Sequence, residues 1–549
     1  MMREFLLTLL AAAAAHLVYR KLEPRRLLLH VILLLMAPLS LTPLLTPHFS
    51  SVVQAALAVW SIYLTSLVVC TVLYRLSPLH PLAKYPGPLI CKVSKLWFGL
   101  VAYGGKQHIY YNELHRRYGD IVRIGPNELS FCTPDVIPSM MGAGGMPKAA
   151  FWDGQFPEQK TCRSLVGLRD PQEHARRRRI WSRGFTPEAL RSYQPILDKR
   201  IGQLLDHLTA RAGTTIDLAK WISWFSFDLM NDMAFGDKIE LMKNEDSKGI
   251  WDLMEIAHRT ALVMAHLPWL SQLAVEIPFA NRNIKRFREF SRQRAMKRYK
   301  EGSASRDIFY HLIDEGGLEA ARPAIEQVAN DASLVIVAGS DTISPTLASL
   351  FYLIISNPVT YSRLQGEVDD RRVDINDVAA LAQLPYLNAV INETMRVIPP
   401  VLSGSTRSPL IGSGGCAVGS HYIPEGTTAV VHTYTLHRDA RNFSPFPESF
   451  IPERWLTADR QVALEPEVFK ARGHVVHNLA AFIPFSYGPA DCIGKRLAMQ
   501  EMRAVACAVL RRFSLRFADG YDKATWEGDM CDHFVIKKPK LPVVLTLRQ

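Results

Sequence analysis

Cysteine is scarce in this sequence, and its eight cysteines are scattered along the chain. They form no CxxC pair and no dense framework, which disfavours a disulfide-stapled secreted domain or a zinc finger and favours a reducing compartment. Nucleic-acid recognition motifs and basic runs interleaved with aromatic residues are also lacking. The net charge of +12 therefore predicts affinity for anionic surfaces or acidic partners, but not for nucleic acid.

Nucleotide-binding patterns are missing as well. No GxGxxG fingerprint follows a strand pattern, and the glycine runs Gly142–Gly145 and Gly412–Gly415 lack the Gly-Lys-Ser/Thr ending of phosphate-binding loops. We therefore expect no flavin or nicotinamide domain. Because repeats, low-complexity tracts and long linkers are absent after about residue 85, the 549 residues suggest one large domain (91–549) behind an anchor (1–76) and a hinge (77–90).

Three apolar runs are present in the anchor. The strongest candidate for a membrane span is 52–74, which carries no charge and is long enough to cross a bilayer. The run 27–45 is interrupted by Pro38 and Pro43, and the run 5–19 is marginal in length. A cleaved signal peptide is the alternative for the first run, but two further apolar runs follow it. The anchor is expected to contain one to three transmembrane segments, or a hairpin.

Basic residues flank these runs on one side. They lie between the first and second runs and after the third, at Lys21, Arg25, Arg26, Arg75, Lys84, Lys92 and Lys95. The turn 46–51 has neither Lys nor Arg. By the positive-inside rule this turn is lumenal and the large domain cytosolic, in a membrane such as that of the endoplasmic reticulum. Four prolines between residues 78 and 88 predict an extended, semi-rigid hinge, and β-rich runs around Gly125 predict a hairpin.

Cys492 lies in a context that suits a metal ligand. Gly488 and Gly494 allow the backbone to fold closely around the sulfur, and the apolar helical pattern that follows would direct its N-terminal amides at a thiolate. A single cysteine ligand on iron indicates haem rather than an iron–sulfur cluster. The alternative is a structural thiol, which is what most lone cysteines are.

The run 485–494 resembles the haem-binding signature of the cytochrome P-450 monooxygenases, Phe-x-x-Gly-x-Arg-x-Cys-x-Gly. It departs from that signature at Ala490, which stands where the family usually has an arginine that pairs with a haem propionate, and Asp491 follows it. The resemblance implies that four residues bind haem: Phe485, Gly488, Gly494, and Cys492 as the axial ligand of the iron.

A second motif lies in a long apolar helical pattern, 325–354. Its centre reads Ala-Gly-Ser-Asp341-Thr342 and is followed by Pro345, so a kink or a widening is expected there. Alone, the Asp-Thr pair would be interpreted as a helix cap. It resembles the family segment in which an acid and a threonine support cleavage of the O–O bond, which implies that Asp341 and Thr342 are catalytic.

Two further motifs follow in the family's order. Glu393 and Arg396 share one face of an apolar helix, and the resemblance adds Arg454 to form a Glu-Arg-Arg triad with a structural role. The same spacing at Glu113/Arg116 and Glu289/Arg292 predicts ordinary solvated surface pairs.

Cationic partners for the haem propionates are implied by the resemblance at His174, Arg178 and Arg407. The alternative for the basic run 176–179 is a solvated face or a localisation tract. Its remaining arginines, with Lys495 and Arg496, are expected to face an acidic electron donor.

The resemblance covers residues from about 80 to 549. It implies a mostly α fold with a smaller β region, haem b, and electrons from NADPH through a separate NADPH–cytochrome P-450 reductase, with cytochrome b5 as a further candidate donor. One oxygen atom of O2 would be inserted into a lipophilic small molecule, such as a terpenoid, alkaloid or polyketide of fungal secondary metabolism. The rivals are a haem-thiolate isomerase or dehydratase, disfavoured by the intact Asp341–Thr342 pair, and a non-catalytic membrane haem protein, favoured only by Ala490.

Several segments are expected to line the substrate pocket: 142–152, 221–227, 256–275, 401–405 and 528–533.

Overall fold

The computed structural model describes most of the chain: residues 2–22, 27–157, 159, 162–236, 239–275, 277, 282–302, 306–370, 374, 377–470 and 475–548. Arg25 and Arg26, used in the topology prediction, lie outside these residues. The α-helices of the N-terminal half are α1 (Met2–Leu22), α2 (Leu27–Val31), α3 (Ala37–Leu45), α4 (Val52–Leu76), α5 (Leu89–Val93), α6 (Leu96–Tyr103), α7 (Gln107–Tyr118), α8 (Ile137–Met141), α9 (Phe151–Gln155), α10 (Pro171–Arg183), α11 (Pro187–Thr209), α12 (Leu218–Phe235), α13 (Leu241–Asn244), α14 (Ile250–His266) and α15 (Pro268–Val275).

The remaining helices are α16 (Arg282–Glu301), α17 (Ile308–Leu312), α18 (Ile325–Ser356), α19 (Pro358–Val368), α20 (Val378–Ala382), α21 (Pro385–Val397), α22 (Thr433–His437), α23 (Ala458–Leu464), α24 (Pro466–Phe469), α25 (Lys495–Arg512) and α26 (Thr525–Asp529). The strands are β1 (Ile121–Gly125), β2 (Glu128–Phe131), β3 (Thr215–Asp217), β4 (Gly415–Val418), β5 (His421–Pro424), β6 (Thr428–Val431), β7 (Phe443–Ser444), β8 (Val476–His477), β9 (Phe513–Phe517), β10 (Cys531–His533), β11 (Val535–Lys537) and β12 (Pro542–Leu547). The fold is mostly α-helical with small sheets, as predicted.

The three N-terminal runs are helical, apolar and long enough to cross a membrane: Met2–Lys21, Leu27–His48 and Val52–Leu76. The first is longer than the marginal run predicted from the sequence. The prolines of the second do not end it, because the chain continues from α2 through a π-helical turn into α3. Ala12 and Ala15 pack against Tyr63 and Leu67 of α4, and the hydroxyl of Tyr63 donates to the carbonyl of Leu33 at 2.8 Å. By length and composition these helices are suited to anchor the chain in a membrane.

The hinge differs from the extended connector predicted from its prolines. Residues 77–85 form successive turns, with backbone bonds such as Ala83 N–H to His80 O at 2.9 Å. Leu82 and Tyr85 are buried in an apolar cluster of the large domain, and α5 begins at Leu89, inside the predicted hinge. The burial of these two side chains fixes the hinge against the domain, which outweighs the extended preference of the prolines.

The predicted hairpin is confirmed as β1 and β2, which pair antiparallel, and β6 then pairs parallel to β2. Arg407 extends this sheet through backbone bonds to Ala429 at 2.7 Å in both directions. Lys148 lies on the other side of Arg407 in an isolated antiparallel bridge. The sheet therefore holds two basic residues side by side, although they are far apart in the sequence.

The core of the large domain is built around α18, which is buried along most of its length. Its apolar composition satisfies the criteria for a membrane span, but 72% of that window is buried inside the domain, so it is a core helix. α18 continues as helix through Asp341 and Pro345, so the kink or widening predicted there does not interrupt the helix. A Cβ on Gly339 would lie 2.5 Å from Met230 Sδ, so this glycine allows α12 to approach α18 closely.

Candidate functional site

A large cavity lies between α10, α12, α18 and the segment before α25. It has an empty volume of about 1650 Å³, part of which is open to solvent. Six residues singled out from the sequence line it: His174, Arg178, Thr342, Phe485, Cys492 and Gly494. The others, Asp341, Arg407, Gly488 and the three residues of the Glu-Arg-Arg triad, are not among the described residues that line this cavity. Sequence motifs from three separate regions therefore meet at one place.

Cys492 is held by the turn before α25. Its backbone N–H donates to the carbonyl of Phe485 at 2.8 Å, closing a loop that contains the 3₁₀ turn Gly488–Ala490. Gly488 has φ +75°, and a Cβ there would lie 2.1 Å from the carbonyl oxygen of Met141, so only glycine fits. The Cys492 side chain is exposed to the cavity. The protein that surrounds the cavity raises the pKa of the thiol by partial desolvation, and a hydrogen bond from the Gly494 N–H opposes that effect. A bound metal ion is the usual means of deprotonating such a thiol.

Arg178 of α10 is paired with Asp491, the neighbour of Cys492. It donates to the carbonyl of Asp491 at 2.7 Å and to its carboxylate at 2.5 Å. The arginine that the family signature has in place of Ala490 is thus absent, and the arginine predicted from α10 is already partly neutralised. Arg178 thus interacts with the loop around Cys492 through Asp491 and also lines the cavity, where it can contact a bound group.

His174 lies one turn before Arg178 and is buried. Burial, Lys148 and Arg178 lower the pKa of His174 to about 3, so the imidazole is neutral at pH 7. Arg407 is buried beside these groups, and its Nε has no hydrogen-bond partner within the described residues. Burial lowers the pKa of Arg407 to about 10, which still leaves it charged. Lys148, which sequence reasoning missed, completes this basic cluster.

The residues present fit a haem group. One cysteine sulfur opens onto the cavity, Gly494 beside it leaves space that a Cβ would fill, and the nitrogen-bearing side chains of Lys148, His174 and Arg178 line the wall. The rest of the lining is largely apolar, including Trp152, Met230 and Phe534. Haem combines an apolar ring with two carboxylates and takes a thiolate ligand on its iron in one of its common ligand sets.

Asp341 and Thr342 face different surroundings although they are adjacent on α18. Thr342 lines the cavity, and its hydroxyl donates to the carbonyl of Ala338 at 2.7 Å. Asp341 instead forms an ion pair with His258 of α14, with 2.9 Å between Oδ2 and Nδ1. Burial works against protonation of His258, but the attraction and hydrogen bond to Asp341 outweigh it and raise the pKa of His258. The sequence carried no signal for His258, since a lone histidine on an amphipathic helix is common.

A second ion pair lies nearer the surface and involves Glu255, one turn before His258 on α14. Glu255 contributes to the raised pKa of His258 and pairs with Lys537 at 3.3 Å. The side chain of Lys537 is 49% exposed, whereas that of Glu255 is 14% exposed. Two ion pairs, Lys537–Glu255 and His258–Asp341, therefore lie near each other, and the first reaches the surface.

The Glu-Arg-Arg triad assembles away from the cavity. Arg396 donates to both carboxylate oxygens of Glu393, at 2.8 and 2.7 Å, and Arg454 donates to one of them at 3.3 Å. All three side chains are completely buried. Arg396 also donates to the carbonyls of His437, Pro447 and Ser449, which fastens the chain that leads toward the Cys492 loop.

The matching surface pairs behave differently. Glu289 and Arg292 are 3.9 Å apart and about half exposed, as predicted. Arg116 pairs with Glu448 at 2.8 Å, on another part of the chain, instead of with Glu113. Spacing alone does not distinguish these pairs from the buried triad.

The expectation for Arg177 was wrong, and the pocket segments predicted from the sequence are matched in part by this cavity. Arg177 is not on a solvated basic face: it is buried and pairs with Asp331 of α18 at 2.8 Å, whereas Arg179, Lys495 and Arg496 are exposed. Among the described residues, the segments 221–227, 256–275 and 528–533 do not contribute to the cavity lining, while 142–152 and 401–405 do. The aromatic stretch of α12 is core instead.

The chain is similar to known proteins over most of its length. Residues 84–545 match the protein family described as Cytochrome P-450. The chain is 34% identical to cytochrome P-450 monooxygenase FCK2 of Fusarium pseudograminearum over 88% of this chain and 85% of the relative, and 34% identical to cytochrome P-450 monooxygenase phqL of Penicillium fellutanum over 86% and 80%. It is 31% identical to tryprostatin B 6-hydroxylase of Neosartorya fischeri, over 88% of this chain and 86% of the relative.

Proposed function

Because the chain belongs to the cytochrome P-450 family and is a monooxygenase like its named relatives, we propose that its cavity oxidises a lipophilic small molecule of fungal secondary metabolism. The observation that carries this proposal is the meeting of Cys492 and Thr342 in one largely apolar cavity. Haem iron follows from the family. When bound, haem supplies the redox chemistry that inserts one oxygen atom of O2 into the substrate while the other leaves as water.

Cys492 is proposed as the residue that would hold the haem iron, through its sulfur. Its loop fixes the sulfur through the backbone bond to Phe485 and the close approach at Gly488, so the ligand position does not depend on a flexible side chain. His174, Arg178 and Arg407 are proposed to contact the propionates. His174 would do so as a neutral hydrogen-bond donor, since its lowered pKa keeps it uncharged.

Asp341 and Thr342 are proposed to handle protons. Asp341 Oδ2 can take a proton from His258 Nδ1 across 2.9 Å. Glu255, whose charge acts on His258, pairs with the half-exposed Lys537 on the side toward solvent. The hydroxyl of Thr342 donates to Ala338 O, which leaves its lone pairs available to accept a hydrogen bond in the cavity. In this proposal Asp341 exchanges protons with His258, and Thr342 offers a hydroxyl to the reacting groups in the cavity.

The largely apolar wall supports a lipophilic substrate, because polar groups on a substrate would lose hydration there without compensation. One relative is named as a hydroxylase of tryprostatin B, so this compound is a reasonable first probe. Electrons are proposed to come from NADPH through a separate reductase, with cytochrome b5 as a further donor. The anchor helices are proposed to place the large domain on the cytosolic side of the endoplasmic reticulum.

A carbon-monoxide difference spectrum of the reduced, full-length protein in microsomes tests the haem site. We expect the long-wavelength Soret band of thiolate-ligated haem, and its loss in Cys492→Ser. Retention of that band in Cys492→Ser would show that another residue is the ligand. Substrate oxidation is then tested with reductase, NADPH and O2, and product formed without consumption of O2 would favour an isomerase or dehydratase.

A further inference from the structure

Lys148 is a buried basic residue whose partners among the described residues are backbone carbonyls and an aromatic ring. It is 7% exposed, lies on the cavity wall, and donates from Nζ to the carbonyls of Leu165 and Val166 at 3.4 and 2.7 Å. Its ammonium is 5.5 Å from the centre of a Trp152 ring. None of the described carboxylates lies within ion-pair distance of it. A buried ammonium without a counter-charge is costly, which suggests that something anionic completes the site.

The charges along the cavity wall point the same way. Arg178 is partly neutralised by Asp491, and His174 is uncharged. Burial raises the pKa of Glu501, another wall residue, to about 8, so that group is mostly protonated at pH 7. Lys148 is left as the basic group on the described wall without an acidic partner, and the buried guanidinium of Arg407 lies beside it.

The position of Lys148 is fixed by the sheet. Its backbone bridges Arg407, and Ala149 N–H donates to the carbonyl of Thr406 at 3.2 Å. Two basic side chains are thus held next to each other, although the charge of Arg407 opposes protonation of Lys148. Burial, followed by Arg407 and Arg178, lowers the pKa of Lys148 to about 7. A carboxylate bound between the two groups would reverse that effect.

We propose that Lys148 binds a propionate carboxylate of haem and supplies the cation that is missing at position 490. The inference rests on the proposed function, since it requires haem in the cavity. Ala490 cannot pair with a propionate, and Arg178 is partly engaged by Asp491. Lys148, on the segment between α8 and α9, provides a charge from a different part of the chain, beside Arg407.

The competing explanation is purely structural: Lys148 fastens the segment 165–166 through its two carbonyl bonds. Lys106 is a matched control, because it also donates to two backbone carbonyls, those of Gly528 and Met530, and is outside the described cavity wall. Replacement of either lysine removes the same kind of bonds. Only replacement of Lys148 should affect a propionate.

The test measures haem release from the full-length holoprotein in detergent to an excess of apomyoglobin. We expect Lys148→Met to release haem at least about 30-fold faster than the wild type, which corresponds to about 2 kcal/mol at 1.4 kcal/mol per tenfold change, as for loss of one partner of a buried charge pair. Lys148→Arg, which keeps the charge, should release haem more slowly than Lys148→Met. Lys106→Met should behave like the wild type.

A second measurement follows the propionates directly. The propionate bending bands in the resonance Raman spectrum should shift in Lys148→Met and in Lys148→Gln, which retains a hydrogen-bond donor for the carbonyls, and remain unchanged in Lys106→Met. Wild-type release rates and unshifted bands in both Lys148 variants would overturn the inference. Absence of haem from the wild-type protein would instead overturn the proposed function, so the two failures are distinguishable.

Discussion

Replacement of Glu393 by glutamine should weaken the fold far more than its small size suggests. The substitution keeps the shape of the side chain and removes one negative charge. Glu393 accepts hydrogen bonds from Nε and Nη2 of Arg396 and from Nε of Arg454. It also accepts from the backbone N–H of Ile451 at 2.9 Å and from the indole N–H of Trp455 at 2.8 Å. A glutamine would direct its own amide hydrogens at some of these donors.

The magnitude follows from burial. Glu393, Arg396 and Arg454 are all 0% exposed, so loss of the carboxylate leaves two buried positive charges without their acid. Breaking such a buried arrangement costs about 3–5 kcal/mol. An unfolding entropy of about 2.1 cal/mol/K per residue, over about 460 residues of the family-matched region, gives about 1 kcal/mol per degree. We therefore expect the midpoint of thermal unfolding to fall by about 3–5 °C.

The assay is loss of the haem Soret band on heating of the full-length protein in detergent, at one fixed scan rate. Glu289→Gln is the matched control, because it removes a carboxylate from an i,i+3 pair that is about half exposed. A surface pair of this kind contributes about 0–1 kcal/mol. If Glu393→Gln lowered the midpoint no more than Glu289→Gln, the reasoning from burial would be refuted.

Two further predictions concern protons near α18. Thr342→Val should still consume NADPH but should form roughly tenfold less product per NADPH, or lower still, because the hydroxyl is lost. Thr342→Ser keeps the hydroxyl and should keep the wild-type ratio of product to NADPH. An equal ratio in the two variants would show that the hydroxyl has no role in the reaction. The pKa of His258 is raised by Asp341, so the stability that this pair adds is fully present below the ordinary histidine value of about 6.5 and is lost as the pH rises through the raised pKa. The difference in thermal unfolding midpoint between the wild type and His258→Gln should therefore be larger at about pH 6 than at about pH 9. Glu255, His533 and Lys538 are the other ionisable groups near the pair. An equal difference at both pH values would show that the pair contributes no charge-dependent stability.

The motifs that could be found in the sequence share a property: each is a short segment whose function depends on spacing along one backbone element. Cys492 with its glycines, Thr342 on α18, and Glu393 with Arg396 on α21 are of this kind. The family and the mostly helical fold could be predicted for the same reason. The predicted extended hinge was wrong because burial of Leu82 and Tyr85 against the large domain outweighs local proline preference.

The sequence by itself determined which residues can do the chemistry: a cysteine between glycines, an acid next to a threonine, and the charged helix pair. Tertiary structure alone decided their partners. Asp341 pairs with His258, Arg178 with Asp491 and Arg177 with Asp331. Lys148 lies next to Arg407 because a backbone bridge joins segments about 260 residues apart. Ion pairs between distant segments depend on burial and geometry across the fold, and these leave no periodic pattern in the sequence.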